Sequence, residues 1–216
     1  MAYNNSGNRF QRTTPVVLNL LIINVLVWLV QLALDKSTEH PFWLTEKIAL
    51  FSINTGEFKP YQLVTYMFAH SSYDEFGGVV FSHILFNMYA LWMFGAALER
   101  VWGPKRFLIF YLICGLAAGV TQMFLSNGVS VGASGAIMGL LAGFGYLFPN
   151  TEFFILPIPF PIKAKYMVAI YAAIDLFGGF HPGKADNVAH YAHLGGMVMG
   201  FILVIIWNKT NKKTFY

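Results

Sequence analysis

Ser134 stands in the run GASG and His193 in the run AHLGGMVMG, each near the start of a strongly apolar segment. A serine hydroxyl is a weak nucleophile until a base takes its proton, and imidazole is the side chain best suited to that at neutral pH. A histidine inside hydrocarbon is expensive to keep and by default marks a function. Two further polar residues, His83 and Asn87, are four apart and share one face of a helix. Each also has a plain reading. A serine beside glycines at a helix start is more often a packing residue or N-cap, a histidine can hydrogen-bond a carbonyl, and an amide can join two helices. Their coincidence at one depth outweighs those readings, and that depth depends on the elements that carry them.

The composition puts those elements in a bilayer. The chain is 56% hydrophobic and 11% charged, against about 25% charged in soluble domains. Six apolar runs approach the length needed to cross about 30 Å of hydrocarbon: Val16–Leu34, Val79–Leu98, Phe107–Leu125, Ser134–Phe148, Tyr166–Phe180 and His190–Trp207. The expected fold is an all-α polytopic membrane protein, a six-transmembrane-helix bundle over 16–208. A polar arm at 1–15 precedes it and a basic tail at 209–216 follows. The arm does not read as a signal peptide, because the apolar run behind it is too long and no A-x-A site follows. The lone Cys114 allows no intramolecular disulfide and reads as a small packing residue.

Charge sets the orientation. With six spans and a cytoplasmic N-terminus, Arg9, Arg12, Arg100, Lys105, Arg106, Lys163, Lys165, Lys209, Lys212 and Lys213 fall inside, and Lys36, Lys47, Lys59 and Lys184 outside. This is the positive-inside pattern of a multi-pass protein with both termini cytoplasmic, in a cell's inner or plasma membrane. The net charge of +4 then reflects topology, and no nucleic-acid partner is implied.

Even-numbered spans begin at the outer face, which is where His83 and Asn87, Ser134, and His190 and His193 all stand. The fourth span is only about 22 Å long at 1.5 Å per residue, so Ser134 starts beneath the surface. Gly135, Gly139 and Gly143 form a small-residue stripe on that span, and Gly196 and Gly200 another on the sixth. Such stripes let helix backbones approach closely in lipid. If they face each other, Ser134 and His193 come within reach.

These residues resemble the rhomboid family of intramembrane serine proteases. The GxSG nucleophile motif appears as Gly132-Ala133-Ser134-Gly135, the histidine motif as Ala192-His193 with Gly196 and Gly200, and HxxxN as His83 and Asn87. The runs LVTYMFAH and ALERVWGPKRFLIFYL match as well, so the resemblance covers spans two to six. GxSG alone is weak, whereas the ordered set is specific. Three departures stand out: Tyr61-Gln62 where the family carries Trp-Arg, Met138 where many members carry a tyrosine under the histidine, and a longer stretch between His70 and His83.

The residues suggest a Ser134–His193 dyad: the hydroxyl attacks a scissile carbonyl while the imidazole takes and returns a proton. The Ser134 backbone N–H would serve the oxyanion, and the family pattern implies that Asn87 and His83 do so too. Asp175 and Asp186 flank the last outer loop and are expected to be solvated, leaving no third member. His190, one turn before His193, is given a supporting role at most, and His70, His181 and His40 are expected at the outer surface. Phe177–Gly183 reads as a glycine-rich cap or an ordinary connection, and the proline-rich 156–165 run as extended chain. Aromatic and aliphatic residues of the first outer loop, Leu50 among them, are expected partly in the interface. The implied partners are transmembrane protein substrates and lipid, with no cofactor and no metal. Two rival readings are a catalytically silent rhomboid-like binding protein and a metal or haem protein using His83, His190 and His193.

Overall fold

Pro15 supplies the fixed φ that suits a first helical turn, and the apolar run behind it forms α1, Pro15–Leu34. This is a computed structural model that describes residues 14–36, 39–74, 76–154, 159–181 and 188–210. The expected arm (1–13), the end of the basic tail (211–216), Pro157, and Pro182, Gly183 and Asp186 lie outside the described residues. The first outer segment carries α2, Trp43–Ile48, β1, Leu50–Phe51, and α3, Gln62–Thr65. The second expected span is one rod: α4, Phe81–Ala90, a π-helical turn at Leu91–Gly95, and α5, Ala96–Trp102. Gly103, at φ 78°, ends it, and Pro104 opens α6, Pro104–Leu125, so glycine and proline stand where a helix stop and start favour them. Then come β2, Val129–Ser130, α7, Ser134–Leu147, β3, Glu152–Phe153, β4, Ile162–Lys163, α8, Ala164–Phe180, and α9, His190–Thr210.

Among the described residues, four helical stretches are long and apolar enough to cross a membrane: Pro15–Leu34, Phe81–Trp102, Pro104–Leu125 and His190–Lys209. The shorter α7 and α8 complete a six-helix, all-α membrane bundle. Its outer shell is apolar where lipid would lie, as at the exposed Leu26, Phe86 and Ile174. Inside, α7 has 10 of its 14 residues buried, as befits a helix surrounded by others. It needs no full span because its neighbours shield it from lipid.

The expected glycine stripes do face each other. A side chain at Gly196 or Gly200 would collide with the carbonyl of Gly135 or Gly139, and one at Gly139 would meet Cys114 and the Gly196 carbonyl. Hence α7 and α9 touch backbone to backbone, with the buried Cys114 packed beside them.

Two polar devices orient the rest. The buried Glu99 of α5 accepts hydrogen bonds from the Val16 and Val17 N–H groups at 3.0 and 2.8 Å, satisfying orphan donors at the start of α1. At the opposite end, β1 pairs antiparallel with β2, Leu50 opposite Ser130. This ties the first outer segment to the chain that enters α7. Leu50 is therefore buried in the core, not interfacial as expected, while Phe42 and Trp43 remain exposed.

A second correction concerns the last outer connection. Phe177–Phe180 is the final turn of α8, not a loop. Gly178 and Gly179 are helical because α9 leaves no room for side chains there: the His190 ring lies against Gly178, and Tyr191 packs on Gly179 and donates its hydroxyl to that residue's carbonyl at 2.7 Å.

Candidate active site

Ser134 is the first residue of α7, and His193 lies one turn into α9. The glycine contact between those helices brings their outer ends together, and Ser134 Oγ stands 2.8 Å from His193 Nε2. That is hydrogen-bond distance for a hydroxyl donating to an imidazole lone pair.

The lone pair is available because of Asp175. Its Oδ1 accepts from His193 Nδ1 at 2.9 Å and from His190 Nδ1 at 2.8 Å. A carboxylate oxygen can only accept, so the network assigns the Nδ1 protons to both rings and leaves His193 Nε2 facing the serine. Asp175 was expected to be solvated, yet it is only 3% exposed. The difference lies in which side of α8 meets α9. Within α8, Asp175 stands on the face turned to α9. The sequence did carry a signal, an acid within an apolar run. His190 has more than a loose supporting position: it shares Asp175 with His193 and is itself buried.

The residues expected to serve an oxyanion lie on α4 and in the turn before α7. The N–H of Ser71 donates to His83 Nδ1 at 3.2 Å, which puts the ring proton on Nε2. A side chain added at Gly132 would stand 2.9 Å from that Nε2, and Gly132 has φ 123°, so position and backbone both call for glycine. Asn87 donates one amide hydrogen to the His83 carbonyl at 2.8 Å, leaving its second hydrogen to spend. The first side-on bond of α7 is Ile137 N–H to Ala133 O, so the N–H groups of Ser134 to Ala136 precede the helix's own ladder. His83 Nε2 and the Ser134 N–H thus both lie close to Gly132, on the two sides of the turn that enters α7.

Residues not singled out in the sequence hold this frame. From α1, Gln31 exchanges two hydrogen bonds with the backbone of His70, both 2.9 Å, and Trp28 donates to the Ser71 carbonyl at 3.1 Å. Asp35 accepts from Ser72 Oγ at 2.9 Å and from the Leu44 N–H at 2.8 Å. The strap 70–72 is thus pinned to α1 before it reaches His83. His70, expected at the surface, is buried under this strap with its ring 5.1 Å from that of His83. Its burial, with His83 beside it, lowers its pKa to about 3. On the other side, Gly132 N–H donates to the Tyr66 carbonyl at 2.8 Å, and Gln122 accepts from Ala192 N–H at 3.1 Å. No motif announces these contacts, since most use backbone atoms.

The departures also find places. Gln62 is buried and its Oε1 accepts from the Lys59 N–H at 3.0 Å, so an amide staples the first outer segment where the family carries Trp-Arg. Met138 packs against the core. As for metal ligation, His190 and His193 turn Nδ1 toward one carboxylate, and His193 turns Nε2 toward a hydroxyl. Among the described residues no group of three His, Cys, Asp or Glu side chains is arranged to hold a metal ion.

Comparison with known proteins agrees with this architecture. The Rhomboid domain family model matches residues 57–209. The rhomboid protease GluP of Bacillus subtilis is 36% identical over 121 residues, 56% of this chain and 22% of that protein. Rhomboid protein 1, mitochondrial, of Saccharomyces cerevisiae is 30% identical over 177 residues, 71% of this chain and 51% of that protein. The rhomboid protease GlpG of Pectobacterium atrosepticum is 28% identical over 133 residues, 61% of this chain and 46% of that protein. The chain thus spans about half or less of these relatives. A family match over most of the sequence, on a helical membrane bundle, makes the chain a member of the rhomboid family.

Proposed function

We propose that this multi-pass membrane protein is a serine endopeptidase that cuts transmembrane-helix substrates near the outer membrane face. The observation that carries the reading is the 2.8 Å approach of Ser134 Oγ to His193 Nε2 at the half-buried outer end of the α7–α9 seam. His193 takes the hydroxyl proton as Ser134 attacks the scissile carbonyl, then returns it to the leaving amine. The Ser134 N–H, the second Asn87 amide hydrogen and His83 Nε2–H stabilise the oxyanion. Water then releases the acyl group by the same base. No cofactor or metal enters these steps. The relatives named rhomboid proteases support this reaction class, and the basic-residue asymmetry supports cytoplasmic termini in an inner or plasma membrane. The test is a serine-directed phosphonate on the purified protein in liposomes, alongside cleavage of a transmembrane substrate. Wild type is expected to take the label and cut, and Ser134→Ala to do neither while still inserting. A correctly inserted wild type that neither labels nor cuts fits the silent rhomboid-like binding protein instead.

A further inference from the structure

We propose that Asp175 is the positioning residue of the dyad and that, because it rides on α8, the outer end of that helix controls the orientation of the base. This rests on the serine-protease reading above. Without an acceptor at Nδ1, the His193 ring is free to carry its proton on Nε2, and it then presents a donor to Ser134 instead of a base. Asp175 Oδ1, 2.9 Å from His193 Nδ1, excludes that tautomer. His190 holds the same oxygen from the other side at 2.8 Å and so keeps the carboxylate from turning away.

The carboxylate's address gives this contact a second meaning. Ser134, His193, His83 and Asn87 lie on α4, α7 and α9. Asp175 alone comes from α8, whose buried residues are Ala164, Met167 and Asp175. The first two sit in its first turn, beside Gly145 of α7, where Val168 and the Ala164 carbonyl crowd that glycine. The rest of α8 presents apolar side chains outward, among them Ile170, Ile174 and Phe177. Its outer half is joined to α9 by the two Asp175 bonds, by His190 against Gly178 and by the Tyr191 hydroxyl on the Gly179 carbonyl. Swinging that half aside about the Ala164–Met167 end, as a helix arriving from the lipid would require, parts Asp175 from His193. The base is set when α8 is seated and released when it is displaced, so admission of a substrate and chemistry upon it occur in turn.

The experiment uses the full chain in liposomes with a small phosphonate, which reports on Ser134 without needing a helix-sized entrance. Asp175→Asn is expected to lower kcat by up to about 10⁴-fold, the loss seen when a triad carboxylate becomes an amide, with KM for a transmembrane substrate unchanged. The ¹⁵N spectrum of His193 is expected to move toward the Nε2–H tautomer, which a merely structural role for Asp175 would not produce. Gly178→Ala, whose added methyl overlaps the His190 ring, pushes the outer end of α8 off its seat. It is expected to slow phosphonate labelling by about tenfold, the loss of roughly one hydrogen bond. A helix that controls access alone predicts the opposite, labelling as fast as wild type or faster. Wild-type labelling rates in both variants overturn the inference while leaving the dyad intact; absence of labelling in wild type overturns the dyad itself.

Discussion

The seam between α7 and α9 is made of backbone, and the seam between α8 and α9 is made of side chains. In the first, Gly135, Gly139, Gly196 and Gly200 place helix carbonyls where any Cβ would collide. In the second, Asp175, His190 and Tyr191 reach across by hydrogen bonds. Contacts between rigid backbones fix a distance, and contacts through rotatable side chains can be broken and remade. The proposed nucleophile and base sit on the rigid seam, where their 2.8 Å separation must persist. The carboxylate sits on the seam that can part. The proposed oxyanion donors of α4 belong with the rigid side, because the 70–72 strap ties His83 to α1.

The sharpest way to break that contrast is Gly196→Ala. The added methyl meets the Gly135 backbone, which has no flexible end to yield, so the helices must separate. The expected outcome is loss of cleavage and a fall in stability at or above the about 1–3 kcal/mol typical of overpacking. Thermal unfolding in detergent and a cleavage assay check it; full activity with an unchanged melting point rejects the rigid-seam account. Next in size is Asn87→Ala, expected to slow turnover by about 10²–10³-fold through loss of one oxyanion donor. Since its other amide hydrogen bonds only within α4, the melting point should hardly move. An unchanged rate would reduce Asn87 to a packing residue.

A smaller effect is expected of the same glycine-to-alanine change where α8 rests on α7. At Gly145 the added methyl meets Val168 Cγ2, the end of a side chain on α8, which can shift with its helix. Gly145→Ala should therefore cost well under the about 1–3 kcal/mol of overpacking in a rigid core. Cleavage is expected to stay within a few-fold of wild type by the same principle. If Gly145→Ala proves as damaging as Gly196→Ala, α8 is held as rigidly as α9 and is not the helix that yields.

Much of the rigid seam is legible in the sequence, because small residues at four-residue spacing are a direct record of helix faces that touch. GASG and Ala192-His193 can be read against those stripes, and the long spans follow from length and hydropathy. The movable seam is harder to read. Gly178-Gly179 has the composition of a turn, and only tertiary contact with His190 and Tyr191 keeps it helical. Asp175 was expected to be solvated although it lies inside the expected fifth span, because hydropathy does not say which face of that helix meets α9. The Ser71 N–H meets the His83 ring across 12 residues of sequence and the Gln31 amide meets the His70 backbone across 39, and no residue pattern encodes a partner of that sort. The π-helical turn at Leu91–Gly95 likewise left no mark in the hydropathy.

The smallest expected effect tests whether the strap belongs to the rigid side, and it appears only on acidification. His70 is completely buried. Its Nδ1 faces the Phe68 carbonyl at 3.3 Å, and its Nε2 has no hydrogen-bond partner among the described residues. Burial first, and the neighbouring His83 second, lower its pKa from 6.5 to about 3. In the unfolded chain this ring takes a proton as pH falls through 6.5, while in the folded chain it stays neutral until about pH 3. The unfolded state therefore binds more protons across that window, and its contribution to stability, complete above pH 6.5, is lost progressively on the way down. His70→Phe keeps a ring of similar shape and removes the titration. Between pH 7.5 and 4.5 the wild-type melting temperature should fall further than that of His70→Phe, because carboxylates and other histidines are common to both. Parallel pH slopes would mean that the strap opens to water and lets His70 protonate without unfolding, which would move the oxyanion side of the site from the rigid half of the molecule to the mobile one.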